Sequence, residues 1–404
     1  MREAIAQCAF PGASIAVTHA GKLVALKAFG KFLYQADLEG APPLSPFPGP
    51  EPARSSSGGR GADFQVTAST LFDLASITKA IATTTMAMIL YQRGVLALEA
   101  PLSGVVPELL TGDKRRQAVT FRMLLGHSSG LPAHEKFFLK ARSRDELLQA
   151  AFATPLSADP GTRAEYSDIG FIILGVALER LADEPLGVFC QREIFGPLAM
   201  PNTTFNPAPE LRSKIPPTAD ERLEQHGAGT CALQAHESTP AHPGSTQQRA
   251  RSTFRNRIIQ GEVQDENAFV LGGITAHAGL FSTAEDVSRF AHVILTGGSP
   301  ILRAETIALF TRREETPEGT SRSLGWDTPS PPSQSGSHFG PHSYGHLGYT
   351  GTSLWIDPDR QLSITFLTNR TWPDCSNPAI KRFRPQIHDA VVDALSRVSK
   401  REGQ

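Results

Sequence analysis

Ser76-Ile77-Thr78-Lys79-Ala80-Ile81-Ala82-Thr83-Thr84-Thr85-Met86-Ala87-Met88-Ile89-Leu90 is the stretch on which the fold turns. From residue 75 to residue 93 the pattern predicts a helix, with Gly94 placed as its C-terminal glycine. Residues 80–90 have almost no charged face, and a helix apolar all round is a buried one, as at a junction between two layers or domains. Further helices are expected at 121–126, 144–152, 169–182 and 187–195. Strand-like runs lie instead at the two ends of the chain. Residues 13–18 and 23–29 flank His19-Ala20-Gly21-Lys22 and read as an antiparallel hairpin. Residues 353–356 and 362–368 are joined by Asp357-Pro358-Asp359-Arg360, which is turn chemistry. Short helices at 2–8 and 285–296 and a final helix at 387–399 complete the reading.

This order is not the alternation that builds a parallel sheet. It predicts an α/β (α+β) fold in which an antiparallel sheet, assembled from both termini and flanked by helices, carries an inserted all-helical domain. The sheet domain would comprise residues 1–74 and 263–404, with a flexible loop at 33–66. Residues 75–205 would form the mostly helical domain, and 206–262 an irregular loop region. Within that region, 206–255 is given no regular structure; residues 314–343 read as another Pro/Ser/Gly loop.

The 404 residues carry 39 basic and 40 acidic side chains, for a formal net charge of −1, which argues against a nucleic-acid or anionic-membrane partner held by a basic field. With 40% apolar and 20% charged residues the chain can build a core. No apolar run reaches the roughly 18 residues needed to span a bilayer. The N-terminus lacks the apolar segment of a signal peptide, so as written the chain is expected to be cytoplasmic; a true start further upstream would make it periplasmic or secreted. Cys8, Cys190, Cys231 and Cys375 are far apart and form no CxxC, so neither a disulfide scaffold nor a zinc site is expected.

Two serine motifs compete. In Ser76-x-x-Lys79, positions i and i+3 of a helix share a face, so hydroxyl and amine can meet. A serine hydroxyl needs a neighbouring base, and a lysine serves if burial or another cation lowers its pKa. The helix N-terminus would also favour the negative charge of acyl transfer. The plain alternative is a serine cap and a solvated lysine. Gly126-His127-Ser128-Ser129-Gly130 matches the G-x-S-x-G elbow, but an elbow needs a strand before it and a helix after it. Here a helix precedes and a loop follows, as for a tight turn. Tyr166-Ser167-Asp168 opens an apolar helix: Tyr166 could relay a proton if Lys79 lowered its pKa, and Asp168 could orient Lys79, or the two could be a packed ring and a cap. Gly345-His346-Leu347-Gly348-Tyr349-Thr350-Gly351-Thr352 brings glycines and a histidine to the start of a strand. No second histidine stands at metal-ligand spacing.

Together and in this order, these motifs resemble the serine β-lactamase and penicillin-binding-protein superfamily, on the class C side with its esterases and D-Ala-D-Ala carboxypeptidases. Ser76-x-x-Lys79 matches its first motif, Tyr166-x-Asp168 its Tyr-x-Asn, and His346-x-Gly348 its Lys/His-Thr-Gly. The resemblance implies a site between sheet and helical domain, with Ser76 acylated, Lys79 activating it and Tyr166 shuttling protons. It further implies an oxyanion hole from the N–H groups of Ser76 and Tyr349, Asp168, His346 and Gly348 on the substrate side, and neither metal nor organic cofactor. Asp168 in place of Asn, His346 in place of Lys and Leu347 in place of Thr all weaken recognition of a carboxylate. An ester, amide or peptide substrate is therefore expected, handled as an esterase or weak carboxypeptidase rather than an efficient β-lactamase. The rivals are a catalytically inactive ligand-binding module on the same fold and, from the elbow, an α/β-hydrolase using Ser128. Residues 33–66, 206–262 and 314–344 would rim the cleft, with Trp326, Tyr344 and Tyr349 lining an aromatic mouth.

Overall fold

A computed structural model describes residues 1–34, 64–110, 112–222 and 253–402. The expected loop at 33–66 and the middle of 206–262 thus fall largely outside the described residues.

A five-stranded antiparallel sheet has the order Lys22–Gly30, Gly12–His19, Leu362–Thr368, Ser353–Asp357, Tyr344–Leu347. The hairpin at the N-terminus therefore joins the C-terminal strands directly, Ala13 opposite Thr368 and Val17 opposite Ile364. The inner strands are buried on both faces, and their side chains alternate between two cores. Ala13, Ile15, Val17, Trp355, Ile364 and Phe366 meet Phe10, Ile380, Phe383 and Ile387 on one face. Ala16, Leu354, Ile356 and Leu367 face the larger core on the other, with Val287, Phe290 and Ile294 of helix Ala284–Leu295. The α/β class expected from the sequence is the one found.

The buried helix is continuous but not uniform. Lys79–Thr84 is π-helical and Thr85–Gln92 is α-helical, and every residue from Lys79 to Ala87 is fully buried. Gly94 follows in the left-handed conformation, φ 73°, as its position predicted. The helices Phe121–Leu125, Arg144–Ala153 and Asp168–Ala182 fall within one residue of expectation, and the helix expected at 187–195 is α-helical over Leu186–Cys190 and π-helical over Gln191–Phe195. Pockets in that packing are tight: a Cβ on Gly175 would lie 2.5 Å from Ala276 Cβ.

Four expectations need correction. The last helix, expected at 387–399, spans Ile380–Glu402 and passes through Pro385. Proline cannot donate to the carbonyl one turn back, and here Gln334 Nε2 donates to the Lys381 carbonyl at 3.0 Å in its place. The region 206–255 is not wholly irregular: Pro209–Lys214 is a 3-10 helix, and Ala219–Asp220 pairs with Ile258–Ile259. Trp326 and Tyr344 do not line a mouth; both are buried, in edge contact at 5.4 Å, with Trp326 stacked on Phe290. Cys8 is disulfide-bonded, where no disulfide scaffold was expected, while Cys190 and Cys375 are free thiols. No helix among the described residues is long and apolar enough to cross a membrane.

Candidate active site

The approach to Ser76 is constrained by its own neighbours. Asp73 Oδ1 accepts the Ala75 N–H at 2.8 Å, holding Ala75 at φ 48°, a conformation that non-glycine residues rarely adopt. The chain then turns into the buried helix with Ser76 at its head. One turn on, Lys79 is completely buried and all three ammonium protons are engaged: Ser76 Oγ at 3.0 Å, Asp168 Oδ1 at 2.7 Å and the His277 carbonyl at 2.8 Å.

Asp168 is the first residue of helix Asp168–Ala182, where the helix dipole favours a carboxylate. The cap itself is Ser167, whose Oγ accepts the Gly170 N–H. His134 Nδ1 lies 3.7 Å from the other Asp168 oxygen. Burial alone would push the Lys79 pKa down, but the Asp168 carboxylate more than offsets it and holds Lys79 above its ordinary value. Asp168 is held well below the usual carboxylate range: burial opposes ionisation, and the Lys79 charge outweighs it. The condition set by the sequence, a lysine lowered by burial, is not met in the resting site, where Asp168 and Tyr166 together outweigh burial.

Tyr166 directs its hydroxyl at Lys79 and Ser76, and Lys79 Nζ is 5.0 Å from its ring centre. Burial pushes the phenol up, and the opposing pull of Lys79 does not restore it. The resting site is therefore an ammonium and a neutral phenol.

Three further side chains border Tyr166 or hold the backbone that meets Lys79, and the sequence did not single them out. His127 lies between the rings of Tyr166, at 4.6 Å, and Phe171, at 5.0 Å, and its Nδ1 accepts the Ser167 N–H at 3.0 Å. Burial keeps it neutral, well below its ordinary pKa. The G-x-S-x-G segment thus contributes its histidine, not its serine. It follows helix Phe121–Leu125 and runs into a loop, the wrong context for an elbow. Arg322 places its guanidinium 5.4 Å from the Tyr166 ring centre, with Asp327 at 3.5 Å. His277 pairs its Nε2 with Asp265 Oδ1 at 3.0 Å, which anchors the loop whose carbonyl meets Lys79. A backbone acceptor leaves no mark in a sequence, but histidines at 127 and 277 inside apolar, glycine-flanked runs were a visible signal.

On the sheet side, His346 lies 6.0 Å from Tyr166, ring centre to ring centre. Its Nδ1 donates to the Leu347 carbonyl at 2.8 Å, and burial lowers its pKa to about 3, so it is neutral. Nε2 is then a buried lone pair with no hydrogen-bond partner among the described residues. Gly348 is where a side chain cannot fit: a Cβ would sit 1.9 Å from Thr352 Oγ1 and 2.5 Å from the Leu74 carbonyl oxygen. Tyr349 is fixed by Arg370, which stacks on its ring at 4.8 Å and donates to its carbonyl at 2.9 Å. The seven residues singled out by the motifs are thus distributed over the two lips of one site.

Residues 1–384 match the family model described as Beta-lactamase. The chain is 30% identical over 384 residues to an N-acetylmuramyl-L-alanine amidase of Bacillus subtilis (strain 168), covering 89% of this chain and 77% of that one. It is 31% identical over 333 residues to a protein named "Putative D-alanyl-D-alanine carboxypeptidase" of Salmonella agona (strain SL483), covering 78% and 72%. Among solved structures, EstCE1, a hydrolase with promiscuous acyltransferase activity, superposes with a TM-score of 0.66 at 19% identity over 95% of this chain and 96% of that one. A class C beta lactamase from Rhodobacter sphaeroides gives 0.63 at 18% over 98% and 97%. These two likenesses speak for the fold. Family match and relatives together place the chain: it belongs to the Beta-lactamase family and is a hydrolase of the β-lactamase and penicillin-binding-protein fold.

Proposed function

We propose that the protein is a serine hydrolase forming a covalent acyl-enzyme on Ser76, with an ester or amide as substrate. The observation that carries this is Lys79 Nζ at 3.0 Å from Ser76 Oγ, fully buried and held by two further acceptors at the head of a buried helix. Ser76 Oγ attacks the acyl carbon while its proton passes to the Lys79–Tyr166 pair. The bond to the leaving group breaks as that pair returns a proton to it. Water, deprotonated through Tyr166, then adds to the acyl carbon, and the acyl–Ser76 bond breaks as that proton is passed on to Ser76 Oγ, freeing the acid. The N–H groups of Ser76 and Tyr349 receive the oxyanion in both steps.

The substrate end supports esterase-like or weak D-Ala-D-Ala carboxypeptidase-like action over efficient β-lactamase action. His346 offers a lone pair where a cation would grip a carboxylate, Leu347 offers no hydroxyl, and the Asp168 charge stands beside Ser76. Arg322 leaves one guanidinium near the cleft, which keeps peptide substrates within reach.

Exposure to a fluorophosphonate followed by peptide mapping tests the nucleophile. One adduct on the peptide bearing Ser76, absent from Ser76→Ala, is the expected result; an adduct on Ser128, or none on folded protein, overturns the assignment.

A second expectation concerns pH. For Ser76 to lose its proton, the Lys79–Tyr166 pair must first be one proton short. Asp168 raises the pKa of both members, so kcat/KM should climb toward alkaline pH. Asp168→Asn removes that charge and should move the limb to lower pH, read from pH–rate profiles on a p-nitrophenyl ester. A limb left in place would remove Asp168 from the tuning role.

A further inference from the structure

The two halves of the oxyanion hole proposed above belong to segments far apart in the chain: Ser76 at the head of the buried helix, and Tyr349 in the turn between strands Tyr344–Leu347 and Ser353–Asp357. Two hydroxyls join them. Thr350 Oγ1 donates to the Asp73 carbonyl at 2.8 Å, and Thr352 Oγ1 donates to the Leu74 carbonyl at 3.1 Å, across 277 and 278 residues of sequence. Both threonines are completely buried. The carbonyls they hold lie three and two residues before Ser76, in the segment that Asp73 Oδ1 and the left-handed Ala75 bend into the helix.

The turn itself is braced from behind. Thr368 Oγ1 donates to the Thr350 carbonyl at 2.8 Å, and the Gly348 N–H donates to the Thr352 carbonyl at 2.8 Å. Gly348 has no room for a Cβ between Thr352 Oγ1 and the Leu74 carbonyl oxygen, so the close approach is built around these contacts. Asp73 extends the same brace with its second oxygen, which accepts the Gln264 N–H at 2.7 Å.

We propose that Thr350 and Thr352 are positioning residues that clamp the turn bearing Tyr349 to the Asp73–Leu74 backbone, and so set the separation of the Ser76 and Tyr349 N–H groups that receive the oxyanion. The inference rests on the acyl-enzyme reading of Ser76. An oxyanion hole acts through donors fixed in advance at the right distance, and a misplacement of about 1 Å can lower a rate by about 100-fold. The clamp therefore acts on the transition state and not on the binding of ground-state substrate.

The test compares Thr350→Val and Thr352→Val, which keep the shape and lose the hydroxyl, with Thr350→Ser and Thr352→Ser, which keep the hydroxyl. Hydrolysis of a p-nitrophenyl ester is measured well below each Tm, per site titrated to completion with fluorophosphonate. The valine variants should lose about 10- to 100-fold in kcat with KM within about threefold, and the serine variants should recover most of it. A residue that only stabilises the core would lower Tm and leave kcat per titrated site unchanged. Folded valine variants with parental kcat, or a loss that serine does not repair, overturn the clamp. If Thr352→Val does not fold, the Thr350 pair carries the same comparison on its own carbonyl. Parent protein that fails to label at Ser76 refutes the acyl-enzyme reading instead, so the two failures are distinct.

Discussion

Lys79→Met is expected to lower kcat for ester hydrolysis on the order of 10³-fold or more, with a small change in KM. Methionine fills much of the volume but offers no proton acceptor and no charge. The present lysine touches the Ser76 hydroxyl, a carboxylate and a backbone carbonyl at once, all within 3.0 Å, and in the proposed mechanism its removal takes away the group that accepts and returns the serine proton. It also leaves Asp168 without its ion-pair partner. Lys79→Arg should not rescue: a planar fork cannot reproduce three donors converging on one nitrogen. Steady-state kinetics with circular dichroism to establish folding checks both variants. A folded Lys79→Met retaining a tenth of parental kcat would remove Lys79 from the chemistry.

The same contacts explain why the resting site is quiescent. Lys79 is held above its ordinary pKa by Asp168 despite complete burial, and Tyr166 is pushed up by burial despite Lys79. Through neutral pH neither is a free base. His127 and His346 are both kept neutral by burial, so neither imidazole supplies a charge there. In the proposed mechanism, activity then depends on a single deprotonation shared by Lys79 and Tyr166, in which the Asp168 charge is the adjustable element.

Much of this was legible in the sequence because it is periodic or local. Ile15 and Val17 alternate with Ala16 between two cores, and the apolar run at 80–90 could only be buried. The Ser76 to Lys79 spacing is one helical turn. What was not legible depends on atoms or partners that a string of letters does not show. The third acceptor of Lys79 is a backbone carbonyl 198 residues away. Gln334 takes the place of a proline's missing N–H from a loop that offered no pattern. Trp326 and Tyr344 looked like a cleft lining because aromatic residues near a motif do not reveal which side of the sheet they face; both fill the core. The Asp168 contact with Lys79 was within reach of the sequence, as a charge-assisted hydrogen bond that orients the lysine, but the net direction of the Lys79 shift depends on how deeply both groups are buried.

Glu221→Ala is the substitution outside the site with the largest expected effect, a loss of about 3–5 kcal/mol in stability. Glu221 and Arg255 both lie in the region the sequence left irregular, and both side chains are 1% exposed. Arg255 Nη2 donates to Glu221 Oε1 and to the Gln264 carbonyl, each at 2.8 Å, and Nη1 donates to the Val263 carbonyl at 2.7 Å. The Arg255 backbone N–H donates to Glu221 Oε2 at 2.7 Å, and Phe269 lies under the guanidinium at 5.2 Å. Alanine leaves the buried guanidinium with two carbonyls and without the carboxylate paired to it, and a buried ion that has lost its partner is costlier than the pair was stabilising. The double variant Glu221→Ala, Arg255→Met should therefore be more stable than Glu221→Ala alone, since it removes the stranded charge. Gln264 ties this pair to the site, because its N–H is the donor to Asp73 Oδ2. Denaturant unfolding of the three proteins measures the effect; a loss below about 1 kcal/mol in Glu221→Ala would mean the pair behaves as an exposed one, and that the ordered backbone around 253–264 does not depend on it.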